Sequence, residues 1–295
     1  MTNTILFLLF MVPGTLFLSA YDLMRRDMLK DGLYHERAFL GVAMMGSGII
    51  LFIPFFFIPF PELKAGFWPA FMGTVAINFV AQWLWFRAFR LEEASLISPL
   101  YLLTPPLVLF TGFIILGEKP SLWGIVGVLT TIIGLWILFQ SGRREGANLF
   151  DTIKRKGVLF GICGAVLFAF SFPLDRKAIL TSSGLFYTAL AVLLIGVLSI
   201  GVSMFSGSHA RHTFFLLFRK PKKMALFFAV SSIAFFLPNQ ALSYSFAAYA
   251  SSVKRLWSLW TVLFSGMFFK ERNIRNKMIA TVVMLSGIFI TIILG

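Results

Sequence analysis

The stretch ASSVKRLWSLWTVLFSGMFFKE, residues 250–271, decides how this chain is read: a helix-length apolar run carries two adjacent cations, Lys254 and Arg255, in its first third. A cation at the centre of a membrane-spanning helix costs about 2.5 to 3.5 kcal/mol on insertion scales, so such residues turn toward a pathway or a binding site. Ser251, Lys254, Ser258, Thr261 and Ser265 follow a 3, 4, 3, 4 spacing, which is one continuous helical face. Arg255 borders that face, and Trp257 and Trp260 run beside the cations as an aromatic wall. Small residues along one face also serve helix packing, and Lys254, about 10 Å inside the outer end at 1.5 Å per residue, has a snorkelling route outward. Adjacent positions point about 100° apart, however, so snorkelling would have to rescue two directions at once. An anion with several oxygens satisfies both cations together.

The composition of the whole chain supports a membrane reading. Of 295 residues 58% are hydrophobic, 36 are Phe and only 13% are charged, which lies outside the range of soluble globular proteins. The net charge of +14 would suggest nucleic acid in a soluble chain, but no aromatic and basic RNA-binding motif accompanies it. Cys163 stands alone in an apolar run and is read as a buried packing residue, with no disulfide framework and no CxxC metal or redox site. The first apolar segment, residues 5–20, lacks a basic flank and a cleavage site and is read as a retained span.

Windows of about 20 residues are needed to cross the hydrocarbon layer. Ten fit, at 4–24, 38–60, 67–89, 94–117, 121–140, 158–180, 185–207, 224–246, 247–269 and 278–294. Loops after odd-numbered spans hold 20 of the 26 basic residues, among them Arg25, Arg90, Lys270 and Lys277. That bias predicts cytoplasmic odd loops and both termini outside.

Sliding the sequence by 153 residues places Asp22 on Asp175, Ala94 on Ala247, Ser98 on Ser251, Glu118 on Glu271 and Gly134 on Gly287, with span boundaries in register. Each unit then holds five spans, an odd number, so the second is expected to enter the membrane inverted. Residues 1–140 form the first repeat, 141–157 a basic connecting loop and 158–295 the second repeat.

Here the residues carry a resemblance. The segment EASLISPLYLLTPPLVLFTGFIILGEKPSLWGIVGVLTTIIGLWIL, with its helix ending in Gly117-Glu118 before a short turn and a Gly-bearing span, resembles the EamA domain of the drug/metabolite transporter superfamily. The second half repeats it less strictly as AAYASSVKRLWSLWTVLFSGMFFKERNIRNKMIATVVMLSGIFITIIL. The resemblance implies an all-α integral membrane carrier of ten helices in two inverted five-helix repeats, with a cavity lined by helices 1, 3, 4, 6, 8 and 9. Members of that superfamily are commonly drawn with both termini in the cytoplasm, which departs from the charge bias here.

Polar residues inside spans nominate the site. Thr15, Ser19 and Asp22 share a face of span 1, and Ser171 and Asp175 share one in span 6. These carboxylates are candidates for proton or sodium coupling, or for pairing with Lys254, Arg255 or Arg176; equally, they could sit at helix ends and meet only water. Asn78, Gln82 and Trp85 lie on span 3, Asn78 read as interhelical glue, and Asn239 and Gln240 follow Pro238 on span 8. Span 4 carries Ser98, Tyr101, Pro105 and Pro106, with Tyr101 in the place that Lys254 takes in the second half. Substrate contacts are therefore expected from Lys254, Arg255, Tyr101, Trp257, Ser251, Ser258, Gln82, Asn239 and Gln240. Glu118 and Glu271 are read as structural, each opening the helix that follows it. His35, His209 and His212 are read as solvated loop residues without a metal site.

The function expected is secondary transport of a small anionic or zwitterionic metabolite across the cytoplasmic membrane, by a monomer or homodimer and without a cofactor. The alternatives are a transporter or flippase for an amphipathic or lipid-phosphate substrate, and a membrane-embedded enzyme. The last would need a nucleophile, base or metal constellation, and the spans hold no His, paired acidic motif or Walker-type loop.

Overall fold

A computed structural model describes residues 2–31, 34–104, 106–107, 121–143, 148–205, 221–241, 244 and 253–293. Ser251, Pro105, Glu118, His209 and His212 lie outside the described residues. Every regular element among those described is helical. A helix satisfies its backbone polar groups internally, which hydrocarbon cannot do for it.

Helix α1 runs Thr2–Leu29, α2 runs Glu36–Phe52 and continues as a 3₁₀ turn over Ile53–Phe56, and α3 runs Phe67–Leu91. Next, α4 is short, Ala94–Ile97, and tightens into a 3₁₀ segment over Ser98–Leu103. Pro99, near the start of that segment, has no amide to donate back along an α-helix. The remaining helices are α5 Leu122–Ser141, α6 Leu149–Ile153, α7 Lys156–Leu180, α8 Gly184–Met204, α9 Pro221–Ala241, α10 Leu256–Phe269 and α11 Ile274–Ile293.

Among the described residues, six helices are long and apolar enough to cross a membrane, within α1, α2 with its 3₁₀ turn, α5, α7, α8 and α9. Ala94–Leu103 and Leu256–Phe269 are shorter apolar helices. Helices α3 and α11 are 25 and 20 residues long and carry cations at one end, Arg87 and Arg90 in α3 and Arg275 and Lys277 in α11. Helix α1 also runs five residues past the expected end of the first span, which takes Arg25 out of the loop and into the helix.

The main packing partners pair α1 with α9, α2 with α8, α3 with α7 and α5 with α11. Each pair joins one half of the chain to the other. At the α5–α11 crossing a Cβ on Gly134 would lie 2.7 Å from the Met284 amide nitrogen, and a Cβ on Gly287 would lie 2.7 Å from that of Thr131. Met284 and Thr131 are themselves 153 residues apart. The two close approaches are therefore one contact seen from both halves, and only glycine lets the backbones come that near.

The surface shows the inversion expected in lipid. Leu122, Ile125, Val126, Leu129, Ile132, Ile133 and Trp136 form an exposed apolar stripe along α5. Cys163 is exposed on α7 rather than buried, because the tight face of that helix is given to Gly157, Gly161 and Gly164 against α3 and α4.

One end of the bundle is tied by polar contacts. Arg26 donates to the carbonyls of Phe89 and Arg90 at 2.7 and 3.1 Å, Arg90 pairs with Glu36, and Arg155 meets Glu92 at 3.3 Å. Lys277, only 1% exposed, pairs with Glu93 and reaches Ser95 at 2.8 Å. Both oxygens of Glu271 accept amides at the start of α4, from Ala94 and Ser95, each at 3.0 Å. Glu271 thus caps α4 rather than the helix that follows it. The free N–H groups of α4 are the unmet donors nearby.

Candidate functional site

A cavity of about 150 Å³ lies between the two halves. Its wall comes from Tyr21, Asp22 and Arg25 of α1, Asn78, Gln82 and Trp85 of α3, Tyr101 after α4, Phe168 and Asp175 of α7, Tyr187 and Thr188 of α8, Asn239 of α9, and Lys254 and Trp257 at the start of α10.

Asp22 is fully engaged. Its Oδ1 accepts from Arg25 Nη2 at 2.5 Å, and its Oδ2 accepts from Trp257 Nε1 at 3.1 Å and Ser98 Oγ at 3.4 Å. The i, i+3 spacing on α1 brings acid and base to one face. The Arg25 guanidinium lies over the Phe89 ring at 3.9 Å, with Tyr21 at 4.9 Å and Phe86 at 5.1 Å. These rings stabilise the cation where water is excluded.

Asp175 differs. Thr74, Asn78 and Tyr187 all donate to its Oδ1, Asn78 at 3.1 Å and Tyr187 at 2.5 Å. Its Oδ2 accepts no hydrogen bond among the described residues, although the carboxylate lines the cavity. Ser171 donates to Asn78 Oδ1 at 3.1 Å, which orients the amide so that its nitrogen faces Asp175. Asn78 therefore joins α3 to α7, as glue would, and also reaches the cavity.

Lys254 lines the cavity and makes no hydrogen bond or ion pair among the described residues. It is half-buried. Arg255, at the N-cap of α10, is 4% exposed and is not part of the wall. A rotation of about 100° per residue separates adjacent helical positions, and here it turns Arg255 away from the cavity that Lys254 lines.

The other expected contacts divide as well. Tyr101, Trp257, Gln82 and Asn239 reach the cavity. Ser258 is buried against the Ser98 carbonyl at 3.2 Å, and Gln240 donates to the Tyr244 hydroxyl at 3.4 Å, both outside the wall. Trp260 stacks on Phe264 at 6.3 Å, away from the cavity. Pro106 is helical and half-buried. The aromatic wall is instead Tyr101 with Trp257 at 4.6 Å, Phe168 at 5.0 Å and Trp85 at 5.9 Å.

Five of these wall residues were not nominated by sequence: Tyr21, Arg25, Phe168, Tyr187 and Thr188. Arg25 carried a usable signal, three residues after Asp22 on a helix with no breaker between them. Of the two carboxylates, Asp22 pairs with Arg25 rather than with Lys254, Arg255 or Arg176, whereas Asp175 interacts electrostatically with Lys254 as one of the expected pairings had it. The 153-residue counterpart of Arg25 is the apolar Ala178, so the second half has no equivalent cation for Asp175 on its own helix.

Fold and cavity together define a multi-pass helical membrane protein with a polar chamber between its halves. The profile of the EamA-like transporter family matches residues 4–140 and 155–293, and the chain belongs to that family, within the drug/metabolite transporter superfamily. No curated protein matches the chain. One solved crystal structure superposes on it with a TM-score of 0.60 at 14% identity, over 96% of this chain and 98% of the other, a likeness of fold alone.

Proposed function

We propose that this chain is a secondary carrier that moves a small anionic or zwitterionic metabolite across the cytoplasmic membrane by alternating access, as ten spans in two inverted repeats. The carrying observation is Lys254, a cation on the wall of a chamber between the halves that makes no hydrogen bond or ion pair among the described residues and shares the chamber electrostatically with Asp175. A single ammonium point charge suits one carboxylate or phosphate oxygen group, oriented further by Gln82 and Asn239 and flanked by the aromatic wall. Arg255 adds positive potential behind Lys254 rather than a direct contact.

Two cavity carboxylates and two cavity cations balance formally, which favours a singly charged anion or a zwitterion over a multiply charged anion. Asp175, with one open oxygen, is the coupling carboxylate for a proton or sodium ion; Asp22 is held by Arg25 and serves structure. The matched contacts at Gly134 and Gly287 support the inverted pair of repeats. The basic bias of the odd loops supports cytoplasmic odd loops and external termini.

The test is uptake into proteoliposomes of a panel of carboxylates, monophosphates and zwitterions. A charge-assisted hydrogen bond is worth about 1.5 to 3 kcal/mol, so Lys254→Ala is expected to lower kcat/KM for the transported compound by tenfold or more. Unchanged transport of that compound by both Lys254→Ala and Arg255→Ala would refute the anchor.

A further inference from the structure

We propose that the pocket between the end of α1, the start of α4 and the α10–α11 turn binds the phosphate headgroup of an anionic membrane lipid. The site is separate from the central cavity and does not depend on the transport reading. It has a volume of about 430 Å³ and takes Arg26 from α1, Lys30 just after it, Glu93 ahead of α4, and the run Phe268 to Arg272.

Its charge is unbalanced toward the positive. Four cations face two carboxylates; Glu271 also accepts the Ala94 and Ser95 amides, and Glu93 also pairs with Lys277. Arg26 donates to two carbonyls and also feels the charges of Glu271 and Glu93, so the surplus positive charge of the pocket rests on Lys30, Lys270 and Arg272. Lys30 shares Asp27 with Lys223, at 2.9 and 2.6 Å. Lys270 and Arg272 make no hydrogen bond or ion pair among the described residues.

The turn that presents these two cations is built to hold them. Lys270 and Asn273 adopt φ of 52° and 54°, a left-handed conformation that favours glycine. Glu271 fastens the turn to α4, and Asn273 fastens it to the Ser141 carbonyl at 3.1 Å. Anchors and cations alternate along Lys270, Glu271, Arg272 and Asn273, so the fastened pair leaves the charged pair over the pocket.

The pocket adjoins apolar surface. Met267 and Phe268, on the last turn of α10, are 66% and 71% exposed, and the Lys30 ammonium lies 5.2 Å from the Phe269 ring. A free phosphate would use only the cations. A lipid uses both parts, its headgroup on the basic residues and its chains along Met267 and Phe268.

The test mixes the purified full chain, in neutral detergent, with equal amounts of phosphatidylglycerol and phosphatidylcholine and counts bound lipid by native mass spectrometry. The native chain is expected to retain phosphatidylglycerol at least tenfold over phosphatidylcholine. Lys270→Gly with Arg272→Gln removes both charges, and glycine suits the left-handed position. Loss of about fivefold per cation is expected for that variant, with Lys156→Ala, an exposed cation off the pocket, unchanged. Phe268→Ala should also release phosphatidylglycerol. Full retention by the double variant, or equal loss in Lys156→Ala, would overturn the site. Displacement of phosphatidylglycerol by millimolar inorganic phosphate or glycerol phosphate would overturn the lipid assignment and leave a soluble-anion site.

Discussion

Replacing Arg25 with alanine tests the reading of the cavity floor. The pair it breaks is buried, with Arg25 4% and Asp22 5% exposed, and its oxygen–nitrogen distance is 2.5 Å. Leaving one member of a buried pair uncompensated costs about 3 to 5 kcal/mol. The Trp257 and Ser98 hydrogen bonds remain on Asp22 and soften that loss, while the lost contacts with Phe89, Tyr21 and Phe86 add about 0.5 to 2 kcal/mol. The net expectation is a loss of about 3 to 5 kcal/mol for Arg25→Ala. Removing both charges in Asp22→Leu with Arg25→Leu leaves no orphan charge, though Trp257 and Ser98 lose their acceptor, and should cost about 1 to 2 kcal/mol less than the sum of the single changes. Equilibrium unfolding of the purified chain in detergent measures the full cycle. A coupling within about 0.5 kcal/mol of zero, the additivity expected of independent sites, would refute the account of Asp22 as a locked carboxylate.

Other substitutions check separate parts of the structure. Gly134→Val forces a branched side chain into a contact already 2.7 Å from the Met284 nitrogen and should destabilise by about 1 to 3 kcal/mol in thermal unfolding. Gly201→Ala, where nothing lies within 4 Å of the added carbon, should be neutral or stabilising by up to about 1 kcal/mol. Glu271→Ala uncaps α4 and should lose about 1 to 2 kcal/mol, with Glu271→Gln recovering part of it; equal stability of all three chains would contradict the cap. Asp175→Asn should abolish the dependence of uptake on an imposed proton or sodium gradient while Asp22→Asn lowers stability instead; a gradient response surviving in Asp175→Asn would reassign the coupling group. A reporter placed in residues 143–156 should be found on the cytoplasmic side, and an external signal would reverse the orientation.

The fold was legible where a pattern repeats. Gly134 and Gly287 sit 153 residues apart in sequence, and the same offset relates their contacts in space. Lys254 was legible because an ammonium in an apolar run has few places to go. Arg25 was hidden by the rule that placed it: a cation at the end of an apolar window is normally a loop flank, and nothing in α1 alone shows that Phe86 and Phe89 of α3 will cover it. Arg255 was grouped with Lys254 by adjacency, although adjacent helical positions diverge. Glu271 was assigned to its own helix because sequence spacing cannot reveal that α4, from the other half, brings its free amides closer.

The central claim is that Lys254 is the anion anchor of the chamber, and a ligand-induced thermal shift tests it most directly. Singly charged carboxylates, monophosphates and zwitterions are titrated into the native chain and into Lys254→Ala. The account predicts at least one compound that stabilises the native chain with a saturating dose response, and a tenfold or greater rise in its apparent Kd in Lys254→Ala. Equal binding of every stabilising compound by both chains would contradict it.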